Sequence, residues 1–160
     1  MRKIFFLIAA GLFFMSQDGM CLQPDFDLAK VLNARPAGQE QVFDYAGIIS
    51  DVKEYTAKYL TKIRENYGIE VLIVTVPGLS GQGAIEELAV DLFEKWQIGG
   101  KLNGRGVFIL LADTEKAVKL EGRKEMEDVF TDAFCGGAAD LQLKPNFLSG
   151  QVGMGLVAIM

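Results

Sequence analysis

The chain has 160 residues with a formal net charge of -5, and half of its residues are apolar, so that it is expected to form one globular domain and a disordered chain is excluded. It contains no His, which excludes histidine-based triads, histidine zinc sites and proton transfer by imidazole. The acidic balance argues against a nucleic-acid partner, because phosphate binding needs clustered Lys and Arg.

Residues 1–20 have the pattern of a secretory signal peptide. Arg2 and Lys3 form a positive start, and residues 4–15 form a continuous apolar run. A run of about 12 residues is too short to cross a bilayer as a helix, but it suits a signal core. The sequence therefore predicts an exported protein, periplasmic or otherwise extracytoplasmic. Cys21 leaves open a lipid-modified amino terminus and a membrane tether.

The segment after the predicted signal lacks sustained periodicity. Residues 21–40 contain Pro24 and Pro36, and we interpret them as an extended lead-in or tether. One domain is then expected over residues 41–160. Its final residues, 151–160, read as the first turns of an apolar helix, which suggests truncation of the native carboxyl end because so short a helix is marginal alone.

Alternating helices and strands are predicted within this domain. The first helix is expected to be capped by Ser50 and to end at Gly68 in a left-handed conformation. Two continuous apolar runs, 69–76 and 107–112, are typical of strands buried on both faces. Because a helical pattern over residues 84–96 separates these strands, they are expected to be parallel with a right-handed crossover.

The pattern is weaker in the last third of the chain. Residues 117–120 are expected to form an antiparallel hairpin with the preceding strand, since only four residues separate the two. Weak helical character follows over residues 124–134, is interrupted at Gly136 and ends before Pro145. These elements predict an α/β fold, a three-layer α/β/α sandwich around a small mixed sheet that contains a parallel pair plus a hairpin.

Two glycine-rich loops do not match known phosphate-binding motifs. Residues 78–83 lie between a strand and a helix, but no Lys-Ser/Thr follows them. Residues 99–106 lead into a strand, which is the wrong order for such a motif. No nucleotide cofactor is therefore expected.

Three aspartates are candidates for a cation site. Asp44 precedes the first helix, Asp113 follows a buried strand, and Asp132 lies in the weak helix. Ligands of open α/β sheets favour the crevice beyond the carboxyl ends of the strands, and carboxylates suit Ca²⁺ or Mg²⁺. Each aspartate also has an ordinary explanation as a turn or surface residue, and the spacing alone favours that explanation.

Several segments together resemble the TPM domain family, which includes thylakoid-lumen photosystem-repair proteins and exported bacterial proteins. The resemblance covers roughly residues 41–160, and its order and spacing are specific. The segments that carry it are residues 42–50 (VFDYAGIIS), 69–76 (IEVLIVTV), 86–99 (EELAVDLFEKWQIG) and 103–112 (NGRGVFILLA), with Thr131-Asp132, Pro145-Asn146-Phe147 and Gly150. The chain departs from the family where it reads Glu121-Gly122-Arg123-Lys124 instead of a Gly-aromatic-Gly turn.

This resemblance implies an α/β/α sandwich that faces away from the cytoplasm and is often tethered to a membrane. It also implies divalent-cation binding through acidic residues and, for the plant member, acid phosphatase activity. By position, the implied ligands are Asp44, Asp113 and Asp132, with Glu127 as a further candidate.

Three functions are considered from these observations. The favoured one is an exported, non-enzymatic accessory or interaction module that binds a membrane or a membrane-protein complex, with a cation ordering its loops. The alternative is a metal-assisted acid phosphatase that acts on phosphate monoesters, in which Arg105 or Arg123 would clamp the phosphate. A weaker alternative is redox sensing through Cys135, although a lone cysteine is more often a buried apolar residue.

Overall fold

Four strands form one sheet, in the order β1-β2-β3-β4, in the computed structural model of the chain. The structure describes residues 27–33, 35–81, 83–128 and 130–159, apart from the side chains of Leu32 and Asp132. The predicted signal segment and Cys21 lie outside these residues. The strands are β1 (Val42–Asp44), β2 (Glu70–Val76), β3 (Gly106–Ala112) and β4 (Ala117–Gly122). β1, β2 and β3 are parallel, and β4 is antiparallel to β3, so the predicted mixed sheet is confirmed with β1 as an added edge strand.

Helices cover both faces of this sheet. They are α1 (Leu28–Asn33), α2 (Lys53–Tyr67), α3 (Ile85–Lys95), α4 (Asp132–Gly137), α5 (Lys144–Leu148) and α6 (Val152–Ile159). Short 3₁₀ turns at Gly100–Leu102 and Lys124–Met126 and a π-helical segment, Ala138–Leu143, complete the described helical structure. No described helix is long and apolar enough to cross a membrane.

Two apolar cores lie on opposite faces of the sheet, because successive side chains of a strand point in opposite directions. Leu72 and Val74 of β2 join a core with α1 and α3, whereas Ile73 joins a core with α2 and α4 to α6. All of β3 is buried, as expected for a strand covered on both faces. This arrangement gives the predicted three layers.

The first long helix begins later than predicted. α2 starts at Lys53, and the Ser50 hydroxyl, which is expected to cap the helix, instead donates to Asp44 Oδ2 at 3.0 Å. Gly68 ends α2 with φ 62°, as predicted. The prediction of Ser50 as the cap is wrong because a carboxylate from a preceding strand binds its hydroxyl.

Part of the predicted lead-in is helical and packed on the domain. Leu28 and Val31 of α1 are buried in the core that α3 shares. The indole Nε1 of Trp96 donates to the carbonyl of Val31 at 3.2 Å. Residues 28–33 are therefore not an extended tether, because α1 buries apolar side chains against α3.

The last third of the chain is more continuously helical than predicted. Gly136, the expected break, lies inside α4, and Pro145 lies in the first turn of α5. Pro is tolerated there because the first N–H groups of a helix have no partner within the helix. Over residues 124–134, the predicted weak helix is replaced by the Lys124–Met126 turn and the start of α4.

Candidate functional site

The carboxylate of Asp44 organises the loop that follows β1. Its Oδ1 accepts hydrogen bonds from the Thr75 hydroxyl at 2.5 Å and from the Ile48 N–H at 3.1 Å. Its Oδ2 accepts from the Ile49 N–H at 3.3 Å and from the Ser50 hydroxyl at 3.0 Å. Four protein donors thus surround this carboxylate, which holds the loop against the sheet.

The position of Asp44 follows from strand pairing. Asp44 ends β1 and lies opposite Thr75 of β2 in the parallel register. The Thr75 side chain is fully buried, so its hydroxyl needs a partner within the protein. The neighbouring Tyr45 donates its backbone N–H to the Thr75 carbonyl at 3.1 Å. Burial raises the pKa of Tyr45 above its usual value, and the nearby Glu40 carboxylate raises it further.

Asp113 lies immediately after β3, in the hairpin turn. Its carboxylate accepts a short hydrogen bond from the Lys116 ammonium, and the two side chains form an ion pair that is partly exposed. The Lys116 Nζ also lies 5.0 Å from the centre of the buried Phe147 ring, a cation–π contact. Asp113 is therefore already paired with a cation of this chain.

Asp44 and Asp113 lie at the same edge of the sheet, because Asp44 ends β1, Asp113 follows β3, and these two strands run in the same direction. β2 separates their strands, and adjacent strands are about 4.8 Å apart, so about 10 Å separates β1 from β3. The two carboxylates therefore share an edge, and each has partners of its own.

Glu127 and the start of α4 lie at the opposite edge. The Arg123 N–H donates to the carbonyl of Gly106, the first residue of β3, and the Lys124–Met126 turn follows directly. Glu127 continues from that turn, and Asp132 begins α4. β3 has seven residues, which makes the two edges about 20 Å apart. The predicted ligands are thus divided between two edges, and the Asp132 side chain lies outside the described part of the structure.

The two candidate phosphate-binding arginines also lie at the opposite edge from Asp113. Arg105 is exposed and precedes β3, and its carbonyl accepts from the Glu70 N–H at 2.9 Å. Arg123 has a structural role, because its Nε donates to the Ile98 carbonyl at 2.7 Å and its guanidinium lies over the Phe93 ring. The structure does not bring either arginine near Asp113.

The carboxylates of Asp44, Asp113 and Glu127 do not meet at a single Ca²⁺ or Mg²⁺ site as the structure places them. Asp44 has four donors, Asp113 is ion-paired with Lys116, and Glu127 lies across the sheet. Within the described ranges, no three acidic or cysteine side chains are grouped so that they could hold a metal ion. Cation binding by these residues stays a prediction from the sequence.

At the edge that carries Asp44 and Asp113, two further residues have roles that are not evident from the sequence. Thr75 lies within an apolar strand, and Lys116 lies in a polar turn where a solvated side chain is the ordinary expectation. The interrupted apolar run at Thr75 is the one local signal of a buried hydroxyl. Cys135 is buried in the core shared with α2, which agrees with its expected apolar role.

Comparisons with known proteins agree with the architecture. The family model described as the TPM domain matches residues 42–160. No curated protein matches the chain significantly.

Among solved structures, the chain is similar to the N-terminal domain of a protein from P. gingivalis, with TM-score 0.66, 24% identity and 82% of each chain covered. It is also similar to the N-terminal domain of the cg2496 protein from Corynebacterium glutamicum, with TM-score 0.59, 16% identity, and coverage of 79% of this chain and 78% of that one. A third similar structure is the BA42 protein from the psychrophilic Bizionia argentinensis, with TM-score 0.52, 20% identity, and coverage of 68% and 73%. At these identities the likeness shows the fold alone.

Proposed function

The chain belongs to the TPM domain family, and from this premise we propose that it acts outside the cytoplasm as a non-enzymatic interaction module that binds a membrane-protein complex. The observation that carries the proposal is a set of exposed large apolar side chains on the helical layer after β4. We call it the C-terminal apolar surface and define it by Leu141, Leu148, Met154 and Val157.

The exposure of these side chains is unusual for large apolar residues. Leu141, Leu148 and Met154 are 75%, 63% and 66% exposed. Their segments pack against one another, since the π-helical segment contacts both α5 and α6. Met154 and Val157 are three residues apart on α6 and so share one face of it. Exposed apolar side chains on neighbouring packed helices favour an interaction site where they join into one patch.

The charge of this layer favours a protein over a lipid surface as the partner. The charged residues between positions 130 and 159 are Asp132, Asp140 and Lys144. Interfacial helices that bind anionic lipid carry several Lys or Arg residues beside their apolar face, and this layer has one Lys. An apolar face of a partner protein suits such a surface.

The edge that carries Asp44 and Asp113 supports a non-enzymatic role. A catalytic carboxylate must reach substrate, whereas the Asp44 carboxylate binds four groups of its own loop and of β2. A location outside the cytoplasm is supported by the first residues of the chain, which have a positive start and a short apolar run.

Site-specific photocrosslinking of the full exported chain tests the proposal. A photoreactive amino acid at Met154 is expected to give a discrete adduct with a membrane protein in the producing cells. The matched control is Val90, which is 49% exposed on α3, on the other face of the sheet, and should give no such adduct. Adducts only with lipid, only with a second copy, or equally from both positions would contradict the proposal.

The alternative, a phosphatase acting on phosphate monoesters, is suggested by the name of the family model, which refers to a phosphatase. The Asp113–Lys116 pair supplies the adjacent acidic and cationic groups that such an activity would use. Turnover of a phosphate monoester by the purified chain, lost in Asp113→Asn and retained in Glu127→Gln, would replace the interaction module by this alternative.

A further inference from the structure

A basic cleft lies at the amino-terminal edge of the parallel strands, far from Asp44 and Asp113. It has a volume of about 420 Å³, and its walls are the ends of α2 and α3, the start of β2 and the chain before β1. The charged side chains that line it are Arg35, Arg64, Lys101 and Glu70. Small-molecule sites have volumes of about 300–1,000 Å³, so the cleft is of suitable size for a metabolite.

Glu70 and Arg35 form the fixed part of this cleft. The Glu70 carboxylate is buried, and its Oε1 accepts from Arg35 Nη2 at 2.9 Å while its Oε2 accepts from the Gly99 N–H at 2.7 Å. Both oxygens are therefore occupied. A guanidinium has five N–H donors, so Glu70 orients Arg35 and leaves most of its donors available to a ligand.

Arg64 and Lys101 leave the cleft with uncompensated positive charge. Neither residue has an ion pair among the residues that the structure describes. Three cationic side chains face one carboxylate, which gives a surplus of two charges. The carboxyl ends of α2 and α3 each supply about half a negative charge, so about one positive charge remains. This surplus stands out in a chain whose net charge is -5.

Gln97 adds a polar group at an unusual backbone position. It lines the cleft and has φ 49°, in the left-handed region where Gly is the usual residue. Gln97 takes this conformation at the carboxyl end of α3, where the Ile98 N–H donates to the Phe93 carbonyl at 3.3 Å. The exposed Gln97 side chain adds an amide to the lining of the cleft.

We propose that this cleft binds a small organic oxyanion, a phosphate or a carboxylate of metabolite size. Arginine pairs with both kinds of oxyanion through charge-assisted hydrogen bonds. One wall of the cleft, residues 35–39, lies before residues 42–160, which are the part of the chain that the family model matches. The cleft is therefore not formed by the matched residues alone. The inference does not depend on the proposed interaction function.

An NMR titration of the whole chain at constant ionic strength tests this inference. Inorganic phosphate and citrate are the two probes, and chloride controls for general salt effects. Saturable shifts are expected for the amides of Gln97, Gly99 and Lys101, and the probe that gives them identifies the kind of oxyanion.

Three variants make the test specific. Arg64→Gln and Lys101→Gln should each weaken binding about tenfold, because each removes one charge-assisted hydrogen bond. Arg105→Gln is the matched control, since Arg105 is exposed at the same sheet edge without lining the cleft. The inference is overturned if neither probe gives saturable shifts, if chloride gives the same shifts, or if the Arg64 and Lys101 variants bind as the wild type does.

Discussion

Replacing Asp44 by Ala should lower the free energy of unfolding by about 3 kcal/mol. The carboxylate accepts four hydrogen bonds, and two of the donors, the Ile49 N–H and the Thr75 hydroxyl, belong to residues that are fully buried. A buried donor left without a partner costs about 1–3 kcal/mol. The Ser50 hydroxyl is exposed and can bind water instead, so its loss contributes little.

The assay is urea denaturation followed by the fluorescence of Trp96, which is the single Trp of the sequence. The urea concentration at the midpoint of unfolding should fall. The slope of the free energy of unfolding against urea concentration should not change, because the surface exposed on unfolding is unchanged. In thermal denaturation, about 3 kcal/mol corresponds to a decrease in Tm of about 10 °C.

Two further variants separate the loop-holding role from other roles of Asp44. Ser50→Ala should cost less than about 0.5 kcal/mol, since it removes one exposed hydrogen bond. The loss of stability in Asp44→Asn should lie between those of Ser50→Ala and Asp44→Ala. The amide oxygen still accepts from Thr75, but the amide N–H groups lie against the Ile49 N–H, which loses its acceptor. If Asp44→Ala is no more destabilising than Ser50→Ala, the carboxylate does not hold the loop and the reasoning is refuted.

Two other predictions concern backbone space and pH. Gly99→Ala should lower the free energy of unfolding in urea by more than about 3 kcal/mol, because φ at Gly99 is +76° and an added Cβ would lie 2.5 Å from the Gly106 nitrogen. Gly136→Ala is the control and should be neutral or stabilising, because an added Cβ there meets nothing within 4 Å. Equal effects of the two substitutions would contradict this account. Burial raises the folded-state pKa of Tyr45 above 10.0, so its contribution to stability is present below that pH and is lost as the pH rises through the folded pKa. Between about pH 8 and about pH 10.5, Tyr45→Phe should lose less stability than the wild type, and an identical loss would contradict the assigned cause.

Strands β2 and β3 can be predicted from the sequence because their runs are continuously apolar, short and rich in β-branched residues, as is typical of strands buried on both faces. β1 has three residues, too few for a periodic signal, and it forms because β2 offers a partner. The helix α1 is packed against α3, and its Val31 carbonyl accepts a hydrogen bond from Trp96, 65 residues later in the chain. No local pattern predicts such a contact.

Asp44 and Asp113 share an edge because β1 and β3 run in the same direction, and only the position of Asp113 is predictable from the sequence, since β1 has no periodic signal. The separate location of Glu127 has a simple cause. β4 runs antiparallel to β3, so the chain that leaves β4 emerges beside the start of β3, at the other edge. The predicted hairpin already implies this separation. The ion pair of Asp113 with Lys116 is different, because it depends on how the turn and the Phe147 ring pack.

The docking of α1 limits the height of the domain above any surface to which the start of the chain is attached. An extended chain spans at most about 3.4 Å per residue, so a free segment over residues 21–41 would reach about 70 Å. Because residues 28–33 are folded against α3, a chain anchored at Cys21 has about 24 Å of reach before the packed structure begins. The docking of α1 therefore shortens by about two thirds the reach of any tether that begins at Cys21.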